Sequence, residues 1–110
     1  MKTFHFGDIV LLIFPHSDGV YVSKRPALIL SDTGNGDVIV CRITSQIRNS
    51  KFDIGVANSP GNGLLLPSVI RVHKIATIEK RRIDRIIGKI EKSLIERILK
   101  TFQLLLESDI

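Results

Sequence analysis

Between residues 7 and 14 the chain is almost continuously apolar, ending in Ile9-Val10-Leu11-Leu12-Ile13-Phe14, and this pattern predicts a strand covered on both faces. Pro15-His16-Ser17-Asp18-Gly19 strings turn formers together and closes it. A loop of about ten residues is then expected to end at Lys24-Arg25-Pro26. Ala27-Leu28-Ile29-Leu30 follows as a second buried strand, entered at a proline where the missing N–H is tolerated. Thr33-Gly34-Asn35-Gly36 interrupts the apolar pattern, and Asn-Gly suits the positive φ angles of a hairpin, so residues 37–43 should return antiparallel to the second strand. Arg48-Asn49-Ser50-Lys51 is a polar loop, and Phe52-Asp53-Ile54-Gly55-Val56 alternates with period two. The turn cluster Asn58-Ser59-Pro60-Gly61-Asn62-Gly63 separates it from a strand over 68–74 that carries Val69, Arg71 and His73 on one face and Ile70, Val72 and Lys74 on the other. Short extended pieces at 76–78 and 83–87 complete the β pattern.

From Ser93 the period changes. Leu94, Ile95, Ile98, Leu99, Phe102, Leu105 and Leu106 recur at helical spacing, with Glu96, Arg97, Lys100 and Gln103 between them. Ser93 with Glu96 three residues on predicts a capping box at the start of an amphipathic helix, its apolar stripe packed on the sheet.

Length and composition bound the rest. A chain of 110 residues with 44% hydrophobic and 25% charged residues is one ordinary folded domain, 1–110. Its longest apolar runs fall well short of the ~20 residues that cross a bilayer, and its first residues lack the layout of a signal peptide. A cytoplasmic location is expected. The single cysteine, Cys41, follows Val38-Ile39-Val40 and reads as a buried strand thiol. A core this small makes pairing with a second copy a natural supplement.

The net charge of +5 favours a polyanionic partner, and it is unevenly spread, with six basic and five acidic residues through position 70 against ten and six after it. Lys80-Arg81-Arg82 with Arg85 is the densest basic piece and fits a solvated rim or a phosphate-contacting patch equally well. Neither GxxxxGK[ST] nor GxGxxG occurs, so a phosphate-cradling loop is excluded. His5, His16 and His73 stand apart from one another and no Cys/His cluster exists, so no metal site is expected. Candidate chemistry is left with polar residues at strand ends: Arg25, Thr44 with Ser45, and Arg71 with His73. From the residues alone, a structural duty, anchoring a loop or bonding its own turn, is the commoner role for each of these.

In order and spacing, Gly7-Asp8-Ile9-Val10, Lys24-Arg25-Pro26-Ala27-Leu28-Ile29-Leu30-Ser31, Ile43-Thr44-Ser45-Gln46 and Pro67-Ser68-Val69-Ile70-Arg71-Val72 resemble the MazF/PemK toxin family. The resemblance continues through Ala76-Thr77-Ile78, Ile87-Gly88-Lys89 and the terminal helix. It implies a mainly β (α+β) fold, a small SH3-like antiparallel β-barrel of the MazF/PemK/CcdB type with a C-terminal helix. It also implies a homodimer, a cognate antitoxin with an acidic flexible tail as partner, and cleavage of single-stranded RNA without metal or other cofactor.

Cleavage in that family proceeds by attack of the ribose 2′-hydroxyl on the adjacent phosphate, leaving a cyclic phosphate and a 5′-hydroxyl. Such a reaction needs a base, an acid and donors facing the phosphorane. By the resemblance Arg25 takes the place of the family's catalytic arginine and Thr44 its second catalytic position. Arginine stays protonated at any working pH, so charge stabilisation suits Arg25 better than a base role. Arg71 falls on a basic position that some members use against the phosphate, and His73 stands where those members often carry aspartate; both are secondary candidates. Tyr21, Lys24, Ser45, Gln46, Arg48 and Lys51 are the expected RNA contacts. Two other readings are a CcdB-like toxin that binds DNA gyrase without cutting RNA, and an inactive module that binds RNA or antitoxin.

Overall fold

The computed structural model describes residues 2–15 and 17–108, so His16 lies outside the described residues. The apolar runs become six strands: β1 (Asp8–Pro15), β2 (Val22–Asp32), β3 (Asp37–Thr44), β4 (Asp53–Val56), β5 (Ser68–Glu79) and β6 (Ile83–Lys89). A 3-10 turn, Lys80–Arg82, joins β5 to β6, and helix α1 spans Lys92–Glu107. All pairings are antiparallel, in the order β4-β5-β3-β2-β1-β6. The fold is therefore a mainly β, six-stranded antiparallel sheet with one C-terminal helix. Among the described residues no strand ladder joins the edges β4 and β6. Instead the 57–67 connection leans on β6, where the Lys89 N–H donates to the Gly61 carbonyl at 3.0 Å.

Register decides what each face carries. Ile9, Leu28 and Cys41 stand opposite one another on β1, β2 and β3 and belong to a core cluster with Ile43, Ile54, Ile70, Val72 and Ile98. One residue along, Val10, Ala27, Arg42, Arg71 and Asp53 form the next row across β1, β2, β3, β5 and β4. That row is apolar in β1 and β2, where Val10 and Ala27 join Phe4, Leu12, Ile29, Val38 and Val40 in a second cluster, and charged from β3 onward. Side chains alternate along a strand, so Arg25 shares the face of Ala27, and Thr44 the face of Arg42. Both faces of β1 are covered, as its unbroken apolar run requires.

Four expectations are corrected. The β1–β2 connection is shorter than ten residues, because β2 starts at Val22 and its ladder with β1 runs on to Pro15 opposite Val22, so Lys24, Arg25 and Pro26 lie inside the strand. The two pieces expected at 68–74 and 76–78 are one strand, β5. Its irregularity is a bulge, where the register jumps from Cys41–Ile75 to Arg42–Arg71 and the Val72 N–H turns to the Phe52 carbonyl at 3.1 Å. The capping box at Ser93 does not form: Glu91 is the N-cap, without a side-chain cap bond. Ile90, held by the Gly7 carbonyl at 2.8 Å, fixes the chain so that the helix begins at once. Finally, the helical stripe packs through Leu94, Ile95, Ile98 and Phe102, while Leu99 and Leu106 are exposed. Cys41 is fully buried, and burial pushes its thiol up to about 12, so it is inert as a nucleophile. Among the described residues, no helix is long and apolar enough to cross a membrane.

Candidate active site

Pro26 opens the site. It pairs with Leu11 of β1, but the ladder from β2 to β3 ends one residue earlier, at Ala27–Arg42, where a proline has no N–H to continue it. The start of β2 and the end of β3 consequently part and leave a cleft of about 370 Å³, lined by Lys24, Arg25, Pro26, Arg42, Thr44 and Ser45. Arg25 and Thr44, distant in sequence, thus face one polar space. The Thr44 Oγ1 accepts the Gln46 N–H at 3.2 Å, and among the described residues its own hydrogen is given to no acceptor. Arg25 is exposed and carries no ion pair or hydrogen bond to the described residues, whereas neighbouring Lys24 pairs with Asp84 at 3.3 Å.

Arg71 and His73 share a face of β5, as their spacing predicts, but neither lines that cleft. The Arg71 Nε donates to the Asp53 Oδ1 at 3.0 Å, with the Asp53 side chain almost fully buried. The Asp53 Oδ2 accepts the Ser50 N–H at 2.9 Å. Burial alone would raise the Asp53 carboxyl, yet the bonds from Ser50 and Arg71 outweigh it and hold the group below the usual carboxylate range. On the far side of Arg71, its Nη2 approaches the His73 Nε2 at 3.4 Å; a guanidinium only donates, so Nε2 is the acceptor. The opposite nitrogen, Nδ1, is buried without a partner among the described residues, and the ring lies against Phe52, centroid to centroid 5.4 Å. Asp53, Arg71 and His73 form a chain of contacts that closes the far end of the 45–52 loop, while Thr44 holds its near end through Gln46.

The remaining candidates are scattered. Ser45 and Lys24 reach the cleft. Gln46 and Arg48 bond each other at 2.6 Å on the exposed loop, and Lys51 sits over the Phe52 ring, 5.1 Å from its centroid. Tyr21 is 67% exposed on the β1–β2 turn and does not line the cleft. The basic piece at 80–85 is largely neutralised where it stands: Lys80 pairs with Asp32, Arg81 with Glu79 and Arg85 with Asp84, while Arg82 lies over Phe14. Among the described residues no three His, Cys, Asp or Glu side chains are grouped to hold a metal ion.

Arg42 is the residue that sequence reasoning missed. It is exposed, lines the cleft between Arg25 and Thr44, and also lines a larger neighbouring cleft of about 870 Å³. The one signal for it was a charge in the alternation Val38, Val40, Arg42, where the face turns from apolar to polar.

Comparison with known proteins agrees with this arrangement. The profile of the family described as PemK-like, MazF-like toxin of type II toxin-antitoxin system matches residues 5–106. No curated protein sequence matches the chain. Among solved structures, MazE-MazF from Deinococcus radiodurans superposes with a TM-score of 0.74 at 18% identity, covering 97% of this chain and 98% of the other. An endoribonuclease from Mycobacterial species gives 0.72 at 19% identity over 96% and 93% of the two chains. The Mycobacterium tuberculosis toxin MazF-mt6 gives 0.62 at 27% identity over 86% and 96%. With nearly the whole chain inside the profile and the fold shared end to end, this protein belongs to the PemK-like, MazF-like toxins of type II toxin–antitoxin systems.

Proposed function

We propose that this toxin is a metal-independent, sequence-selective endoribonuclease that cleaves single-stranded RNA, messenger RNA foremost, by attack of a ribose 2′-hydroxyl on the adjacent phosphate. The observation that carries the reading is the meeting of Arg25 and Thr44 in one polar cleft, with the guanidinium uncommitted and the hydroxyl hydrogen unspent. Five fixed N–H donors on Arg25 suit the equatorial oxygens of a phosphorane, where negative charge accumulates. Thr44, its oxygen already accepting from Gln46, keeps its hydrogen to donate to the same oxygens.

Arg71 and His73 act in second place. His73 belongs to this charged face and stands against Arg71 instead of in the cleft. Tyr21, Gln46, Arg48 and Lys51 offer stacking and polar contacts on exposed loops, where RNA-contacting side chains vary freely. A second copy of the chain and a cognate antitoxin complete the working assembly in the cytoplasm; the solved MazE-MazF complex of the same fold supports the antitoxin.

The test is incubation of the purified protein with a long single-stranded RNA in EDTA, mapping both the cut positions and the chemistry of the new ends. Cuts at one short motif, ending in a 2′,3′-cyclic phosphate and a 5′-hydroxyl, are expected. Arg25→Ala should lower the rate at least ~100-fold, the cost of removing a donor from a charge-stabilising site, with the circular dichroism spectrum unchanged. Intact RNA, with trapped DNA breaks in the presence of gyrase, would instead identify the topoisomerase-binding reading.

A further inference from the structure

The proposed function needs one cation at the reacting phosphate, yet the cleft carries two uncommitted arginines. Arg25 and Arg42 both line it, and neither has an ion pair or hydrogen bond with a described residue. This separates them from Arg71, Arg81 and Arg85, each of which has a carboxylate partner. Two exposed guanidiniums on one cleft, without a carboxylate partner among the described residues, repel one another, and the arrangement is relieved by an anion between or along them. Register puts Arg42 opposite Ala27, so that Arg25, two residues earlier on β2, is its diagonal neighbour.

The two clefts meet at Arg42 together with Ser23, Arg25 and Pro26, which line both. The larger one has an apolar floor of Leu12, Ala27, Val40 and Ile75, with Arg25, Arg42 and Lys74 at its margin. A polyanion with apolar bases matches this pairing of surfaces: phosphates along the cations, a base against the floor. We infer that Arg42 is a second phosphate-binding residue of the site, holding the phosphate next to the scissile one as the RNA strand crosses from the small cleft to the larger. Arg42 fixes the register of the strand over Arg25 and Thr44 and takes no part in bond making. The inference rests on the RNA-cleaving reading above and names a contact within it.

The experiment compares the wild-type protein with Arg42→Ala, Arg42→Lys and Arg42→Glu. Each is titrated with a single-stranded RNA oligonucleotide containing the mapped cut motif and a 2′-deoxy sugar at the cut, across a series of NaCl concentrations. Cleavage kinetics on the all-ribose oligonucleotide and the mass of each variant in solution are measured alongside. Because Arg42 is exposed and unpaired, all variants should fold. With Arg42→Ala, affinity should fall about tenfold and the slope of log K against log salt should become shallower by about 0.7, the value of one phosphate contact on a single strand. KM should rise with kcat within about threefold of wild type. Arg42→Lys should keep the slope, and Arg42→Glu should bind more weakly than Arg42→Ala.

Unchanged affinity and slope in Arg42→Ala, with cleavage by the wild type intact, would overturn the role of Arg42 and leave the nuclease reading standing. A loss in kcat alone would overturn it too, placing Arg42 at the transition state. A change of mass would do the same by making Arg42 a contact between copies. A wild type that neither binds nor cuts RNA would remove the nuclease reading, and this inference with it.

Discussion

Asp53 shows how much can depend on one side chain. Its carboxylate satisfies the Ser50 N–H and the Arg71 Nε together while almost fully buried, and Arg71 in turn contacts His73. Replacing it with asparagine keeps the volume and removes the charge, which strands a largely buried guanidinium and weakens the anchor of the 45–52 loop. Breaking a buried pair from one side costs more than the pair itself contributes, so Asp53→Asn should lower unfolding stability by about 2 kcal/mol. Urea denaturation followed by circular dichroism measures this. A loss as small as that of a surface pair, within about 0.5 kcal/mol, would mean that Arg71 finds solvent or another partner easily. Arg25 is the opposite case, since its side chain has no ion pair or hydrogen bond among the described residues and its removal should cost activity without stability.

At the scale of elements, the site exists because β2 contains a proline at a place where a strand ladder has to stop. The same strand pairs β1 from Val22 to Leu28 while its ladder with β3 stops at Ala27, and the cleft is the space left where β3 is released. The edge strands are managed differently. The 57–67 connection closes on β6 through the Gly61 carbonyl, which accepts the Lys89 N–H, and is held in shape by Asn62, whose buried amide bonds the Ser59 N–H, the Ala57 carbonyl and the Leu64 N–H. Gly63 sits there at φ +69°, and a Cβ on it would run into the backbone carbonyl of Ile87. Both terms oppose a side chain, the left-handed conformation alone costing about 1 kcal/mol or more. Gly63→Ala should therefore destabilise by more than about 1 kcal/mol and lower the thermal midpoint. The equivalent change at Gly34, at φ +79° with open space around it, should carry the conformational cost alone. Equal effects at the two positions would argue against contact with β6 as the cause.

For the whole molecule, the most economical link is Asp32. It accepts the Phe4 N–H, the Gly34 N–H and the Lys80 ammonium, and so joins the first residues, the β2–β3 hairpin and the turn before β6. The Lys80 ammonium, with the backbone donors of Phe4 and Gly34, lowers its carboxyl from an ordinary 3.8 to about 2. The folded group therefore has the lower pKa, and over that interval the unfolded chain binds more protons. Its stabilising contribution is complete above about 4 and is lost as pH falls through about 2. Asp53, also lowered, adds a loss of the same sign. Stability measured by urea between pH 5 and 2 should decline, and Asp32→Asn should flatten the decline. An unaltered profile in that variant would assign acid sensitivity to other carboxylates.

The chain's local pattern located all six strands, although it began β2 late and split β5 in two, and with them the β2–β3 hairpin, the 58–63 turn and the terminal helix, because period two, period 3.6 and turn chemistry are properties of neighbouring residues. Ordered motifs likewise identified the family and singled out Arg25 and Thr44. Of the features that escaped that reading, three turn on residues far apart in sequence. Arg42 looks like any charge on a strand until register sets it beside Arg25. Arg71 looks like a free cation until β4 brings Asp53 against it. The helix start looks like a capping box at Ser93 until Ile90 is fixed on Gly7. Periodicity decides which face a residue occupies. Which partner stands across from it, and so whether a charge is neutralised or left available to a ligand, is decided by strand order, by the bulge in β5 and by the ladder that Pro26 ends.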